Sequence, residues 1–327
     1  MVPIKLAGTG SYLPSKILTN FDLEKTLDTT DEWIITRTGI RERRVAGDGE
    51  HNSAMAVAAA RDALAEAGLT AAELDAIIVA TVTPDMPLPA TACFVQAGLD
   101  AGHCAAFDIV AACSGFVYGL VIADRLVRHG QYDNVLLVGS ETLTRVTDYT
   151  DRGSCILFGD GAGAAVLRRS EKADRGVIYH RLAADGKGAD FINIPGGGSR
   201  TPASEQTVRD RMHYMKMRGR DVYKFAVSRM QELIADAMDK CGLTADQVKL
   251  VVPHQVNQRI IDSAVEKLNF PSEKVYVNID RYGNTSGASV PIALHEARAR
   301  GMLSSGDTVI FVAFGAGLTW ASAVMKL

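Results

Sequence analysis

No apolar run in this 327-residue chain approaches the roughly 18 residues that a membrane-crossing helix needs, so no insertion into a bilayer is expected. A surplus of one charge is missing too. Lys and Arg number 35 against 38 Asp and Glu, and a formal net charge of -3 lacks the broad basic field that grips nucleic acid. No two cysteines stand at a metal-ligand spacing such as Cys-x-x-Cys, so no metal site is expected. The five cysteines (Cys93, Cys104, Cys113, Cys155 and Cys241) are an odd set of free thiols. With no secretory leader visible in the first residues, they point to a reducing cytoplasm. Two glycine-rich segments, Gly159–Gly163 and Phe314–Gly317, lack the Gly-Lys-Ser/Thr of a phosphate loop. Neither fits Gly-x-Gly-x-x-Gly between a strand and a helix. They read as tight turns, or as places where backbone N–H groups face a substrate oxygen.

What the chain has in quantity is apolar residues, 47% of the total, and a weak internal repeat. Ala67-Gly68-Leu69-Thr70, followed by the apolar run Leu74–Val79, reads as a helix end, a turn and a buried strand. Cys241-Gly242-Leu243-Thr244, followed by Val248–Val252, reads the same way at an offset of 174 residues. The same offset carries strand Val135–Val138 onto Val309–Val312, and Cys113-Ser114-Gly115 onto Gly287-Ala288-Ser289. Matches in one order at one offset predict a duplicated α/β unit of two pseudo-equivalent halves, residues 1–170 and 171–327. Continuous apolar strands alternating with helices predict mixed, mainly parallel sheets covered in layers. Helices are expected over Ser53–Ala67 and Asp221–Cys241, where apolar residues recur at helical spacing. The polar stretch from Pro195 to about Met212 is expected to leave the core as an excursion.

Three residues stand where chemistry collects. Cys113 falls between the strand-like Ala105–Ile109 and a helical pattern through Phe116, Leu120, Ala123 and Val127. Free N–H groups and the helix dipole at such a turn favour a thiolate, and Ala111, Ala112, Ser114 and Gly115 leave room for a substrate. A packing cysteine stays open on this reading. His254 follows a buried strand at its carboxyl end, where α/β ligand sites gather, although a lone histidine there also serves structure. Asn284, in Arg281-Tyr282-Gly283-Asn284-Thr285-Ser286-Gly287, alone reads equally as a turn or cap residue.

Together these pieces resemble the β-ketoacyl-acyl carrier protein synthase III family of thiolase-like condensing enzymes. The likeness runs the length of the chain through Gly39-Ile40-Arg41-Glu42-Arg43, Ala112-Cys113-Ser114-Gly115-Phe116, His254-Gln255-x-Asn257, Gly283-Asn284-Thr285-Ser286 and Phe314–Trp320. The resemblance implies a thiolase-like fold and a cytoplasmic homodimer. It also implies a decarboxylative Claisen condensation of an acyl-coenzyme A with malonyl-acyl carrier protein, without a cofactor. It makes Cys113 the acyl carrier and His254 and Asn284 the donors to an enolate oxygen, with the Cys113 and Ala316 N–H groups as oxyanion hole. Ala316 stands where the family typically has Gly. Trp33 and Arg152 match the pair that clasps adenine, Arg37 the phosphate contact, and Gly219 and Asn257 the pantetheine channel. Lys224, Arg259 and Lys267 match the carrier-protein patch, with Glu266 beside Lys267 where a basic residue is common. Leu88 takes the place of an aromatic residue that in some members caps the partner's acyl tunnel. The alternative left open is a related ketosynthase or acyltransferase of secondary metabolism with a longer or aromatic starter. A non-catalytic acyl-binding member of the fold is a third.

Overall fold

The repeat in sequence is a repeat of structure. A computed structural model describes residues 2–327. Helix Asn52–Ala67 ends at Gly68 (φ 65) and helix Gly219–Cys241 ends at Gly242 (φ 62). Both glycines take the left-handed conformation that closes a helix and strains any residue with a side chain. A capping box follows each, formed by Thr70 with Glu73 and by Thr244 with Gln247. Both then enter buried strands, Ala76–Ala80 and Leu250–Pro253.

The first sheet runs in the order Ile4–Tyr12, Asp160–Arg169, Asn134–Thr142, Ala76–Ala80, Ala105–Ile109. The second repeats that order with Gly176–Ala184, Thr319–Lys326, Thr308–Gly315 and Leu250–Pro253. In place of a fifth strand, Val275 makes a single parallel bridge to Val251. The expectation of mainly parallel sheets needs one correction. The two pairs at one end of each sheet, starting from Ile4–Tyr12 and from Gly176–Ala184, are antiparallel, and the pairing is parallel from there to the opposite edge. Connection decides this: a helical crossover returns a strand in parallel, whereas the short turn from Gly315 to Thr319 can join only antiparallel neighbours.

Helices and sheets stack in five layers. Gly115–His129 and Ser289–Ala299 lie between the two sheets, and the largest apolar cluster joins Phe116, Leu120, Val290 and Leu294 to inward residues of both. Helix Asn52–Ala67 covers the outer face of the first sheet and Gly219–Cys241 that of the second. Alanine suits the outer helix because the sheet comes very close. A Cβ on Gly10 would meet the Ala59 carbonyl oxygen at 2.1 Å, so backbone lies on backbone. Strands such as Ala76–Ala80 are buried throughout, and each fully buried Val, Leu or Ile contributes roughly 1.5–3 kcal/mol. No helix among the described residues is long and apolar enough to cross a membrane.

Candidate active site

Each inner helix opens from a 3-10 turn, Ala112–Ser114 in the first half and Ser286–Ala288 in the second. Their first residues, Ala112 and Ser286, share an uncommon φ of 47. Non-glycine residues held there cost roughly 1–3 kcal/mol, a strain that recurs at functional sites. The two turns meet where the halves meet. A Cβ on Gly287 would lie 3.4 Å from the Ala112 carbonyl oxygen and 3.4 Å from Glu141 Oε1. The strand Thr308–Gly315 closes a third side. A Cβ on Gly315 would stand 2.8 Å from the Cys113 nitrogen, so only glycine admits that approach.

Cys113, His254, Asn284 and Ala316 line one cavity of about 300 Å³. His254 lies just beyond strand Leu250–Pro253, its N–H donating to the Val312 carbonyl at 2.8 Å. Its Nδ1 is 2.7 Å from Ser289 Oγ, and the Gln255 N–H points at the same oxygen from 3.4 Å. A Ser289 hydroxyl that donates to Nδ1 places the imidazole proton on Nε2. Burial lowers the His254 pKa from 6.5 to about 3, so the ring is neutral. The buried Nε2 has no protein partner among the described residues. Phe314 stands edge-on to the ring at 5.9 Å between centroids. Asn284 is gripped on both backbone sides, its N–H donating to Leu157 and its carbonyl accepting from Gly159. Its Oδ1 accepts the Ser286 N–H at 2.8 Å, which leaves the amide NH₂ as the free end.

One expectation about Cys113 is overturned. Burial pushes the Cys113 thiol up to about 12, against the thiolate that the turn was expected to favour. The Glu141 charge raises it further, while the Ser286 hydroxyl and the Cys113 N–H oppose the shift. Ala316 needs no special conformation. The left-handed position falls on the next residue, Gly317 (φ 132), so the Ala316 N–H survives the replacement of Gly.

Gly219 and Asn257 line the same cavity. The Asn257 Oδ1 accepts from the Arg259 N–H to cap helix Gln258–Leu268, and its Nδ2 donates to the Arg37 carbonyl. That bond joins the cavity wall to helix Asp31–Thr38, where Trp33 and Arg37 reside. The Arg152 guanidinium stands 4.9 Å from the Trp33 ring centre and that of Arg37 5.6 Å, so the three form one cluster outside the cavity lining. Lys224 and Arg259 are exposed beside Tyr223, which lines the cavity, whereas exposed Lys267 lies at the far end of its helix. Leu88 is not brought to this cavity by its own chain. It is 83% exposed, near exposed Met86.

Two features escaped the reading of the sequence. The polar excursion leaves the core, but its feet do not. Ile192, Ile194, Met215 and Met217 wall the cavity, and Arg211 ties the excursion to Asp148 at 2.6 and 3.0 Å. The alternation of apolar residues on either side of the glycine run was the available signal. The second is Glu141, fully buried at the end of strand Asn134–Thr142. A carboxyl ending so apolar a strand was its only mark. Burial raises its pKa to about 7 against the bonds from Thr83, Val82, Ser286 and Thr81.

A duplicated five-layer fold with a cysteine at one inner-helix turn and a histidine and an asparagine from the other half defines a thiolase-like condensing acyltransferase. Family models described as 3-Oxoacyl-[acyl-carrier-protein (ACP)] synthase III and its C terminal match residues 107–186 and 238–327. The chain belongs to the beta-ketoacyl-[acyl-carrier-protein] synthase III family. It is 53% identical over 321 residues to the member from Caldanaerobacter subterraneus, covering 98% of this chain and 97% of the relative. It is 51% identical over 321 residues to that from Roseiflexus castenholzii, with the same coverage. Among solved structures, the 3-oxoacyl-[acyl-carrier-protein] synthase III from Aquifex aeolicus superposes with a TM-score of 0.91 at 48% identity. That match covers 99% of this chain and 100% of the other.

Proposed function

We propose that the protein initiates fatty-acid synthesis by condensing an acyl-coenzyme A primer, carried on Cys113, with malonyl-acyl carrier protein. The observation that carries the residue roles is the unpartnered Nε2 of His254 in the cavity that Cys113 and Asn284 share. A neutral imidazole with its proton on Nε2 and an amide with its oxygen occupied are both donors, and neither serves well as a base. Two such donors suit the enolate oxygen left when malonyl thioester loses carbon dioxide. The enolate carbon then attacks the acyl-Cys113 carbonyl, whose oxygen is held by the N–H groups of Cys113 and Ala316. Thioester exchange and decarboxylation supply the driving force, so the reaction calls on no metal or organic cofactor.

Coenzyme A enters along Gly219 and Asn257, with its adenine taken between Trp33 and Arg152 and its phosphates at Arg37. Because Arg152 already stacks on Trp33, adenine binding must part them. Lys224, Arg259 and Lys267 form the docking patch for the acidic carrier protein. The chain acts as a cytoplasmic homodimer in which Leu88 closes the partner's acyl tunnel. Exposed Leu88, Met86 and Val110, beside the edge strand Ala105–Ile109, support a covered surface there. Incubation with an acyl-coenzyme A should add one acyl mass to the Cys113 peptide. Labelling confined to the other four cysteines would overturn the assignment.

A further inference from the structure

One wall of the cavity is a ribbon of two very short strands, Ile192–Asn193 and Lys216–Met217. So short a ribbon has little stability of its own, and its place depends on what fastens it. Met215 and Met217 line the cavity, and Met215 joins Leu143 and Phe158 in a buried apolar cluster. Alternation along the strand turns Lys216 the other way, and its Nζ reaches Asp148 Oδ2 at 3.3 Å. Arg211, just upstream, donates to the same carboxylate through Nε at 3.0 Å and Nη2 at 2.6 Å. Thr150 adds its N–H at 3.0 Å and its hydroxyl at 2.6 Å, both on Oδ1. The Asp148 side chain is only 4% exposed, so two cations of the excursion converge on one nearly buried carboxylate. Arg211 holds a left-handed φ of 53 there, a conformation that strains any residue with a side chain. A single backbone bond repeats the attachment, from the Met215 N–H to the Val146 carbonyl at 2.8 Å.

We propose that Asp148, through Arg211 and Lys216, is a positioning residue that sets how long an acyl primer Cys113 accepts. The cavity holds about 300 Å³, and the exposed Gly219 and Tyr223 mark its open side. The acyl chain on Cys113 therefore runs toward the opposite end, where Leu143, Phe158 and Met215 are buried. Methionine side chains are unbranched and adapt easily to what they meet. The depth of that end is thus fixed less by their shape than by where their backbone is held. Asp148, Arg211 and Lys216 are all absent from the cavity lining, so they act on the primer only through Met215 and Met217. Releasing the carboxylate lets the ribbon move outward, which deepens the apolar end and admits longer chains. His254 and Asn284 stand on other elements and keep their places.

The inference rests on Cys113 as the acyl carrier, and mass spectrometry of the loaded enzyme tests that reading by itself. Asp148→Asn keeps the shape of the side chain and an oxygen for Thr150. It strands no buried charge, because Arg211 and Lys216 are both more than 40% exposed. Arg211→Gln cuts the same link from the side of the excursion. For each variant, kcat/KM is measured for acetyl- and octanoyl-coenzyme A in competition, beside malonyl decarboxylation. Each variant is expected to raise the octanoyl-to-acetyl ratio about tenfold or more, with decarboxylation close to the wild type. Arg211→Lys keeps the cation and should return most of the wild-type ratio. The double variant Asp148→Asn with Arg211→Gln should shift the ratio no further than the stronger single one. An octanoyl-to-acetyl ratio unchanged in both single variants would overturn the inference. Equal losses with both primers and in decarboxylation would make the link a part of the fold alone, and would overturn it too. Should Asp148→Asn fail to fold, Arg211→Gln decides by the same readings. A wild-type enzyme that never labels Cys113 would instead sink the acyl-carrier reading.

Discussion

His254 Nδ1 and Ser289 Oγ lie 2.7 Å apart, and that contact sets which nitrogen of the imidazole faces the cavity. Ser289 is the first residue of the inner helix of the second half, so the histidine of one strand is oriented by the helix beneath it. Ser289→Ala removes the acceptor-directed proton and lets the ring exchange tautomers or rotate. A bond of this kind is worth about 1–1.5 kcal/mol, so malonyl decarboxylation should fall about tenfold. Transfer of an acyl group to Cys113 should fall less. Carbon dioxide release measured beside acyl loading tests both, and an unchanged release rate would show that Phe314 alone orients the ring.

The relation between the halves was legible because helix ends and buried strands write strong local signals. Gly68 and Gly242, Thr70 and Thr244, and the apolar runs after them stand in register before any coordinates. The antiparallel pairs at one end of each sheet were not legible, since a buried strand is apolar whichever way its neighbour runs. At the site, position picked out Cys113, but His254 and Asn284 rose above structural roles only through resemblance. The Cys113 thiolate was misjudged because a turn declares its free N–H groups in sequence while desolvation depends on what packs over it. Glu141 and the feet of the excursion were missed for the same reason. They meet Cys113 only in the folded chain.

Leu88 does not line the cavity of its own chain and is exposed. If the partner's cavity receives it, Leu88→Phe narrows the tunnel and shifts starter preference toward short acyl chains. A misplaced group in an apolar pocket is worth roughly 1–3 kcal/mol, so starter ratios should move about tenfold or more. Competition between short and long acyl-coenzyme A primers measures this. Identical ratios in the two enzymes would remove Leu88 from the tunnel, and a monomer at assay concentration would remove the partner.

His254 and Glu141 pull the pH dependence of stability in opposite directions. His254 has its pKa lowered by burial from 6.5 to about 3. Between those values the unfolded chain binds a proton that the folded one refuses, so stability falls as pH drops through this window. Glu141 has its pKa raised by burial from 4.5 to about 7. There the folded chain holds a proton that the unfolded one has released, so this contribution is lost as pH rises toward 7. Each slope reaches about 1.4 kcal/mol per pH unit, and across the shared window the two nearly cancel. Cys113 titrates above that window and adds nothing to it. Glu141→Gln therefore unmasks His254, and its stability should climb with pH more steeply than the wild type between about pH 4.5 and 6.5. His254→Gln should do the reverse and lose stability as pH rises over the same range. Urea unfolding at a series of pH values reads both slopes. Wild type and Glu141→Gln with parallel profiles would mean that Glu141 ionises alike in the folded and unfolded chains.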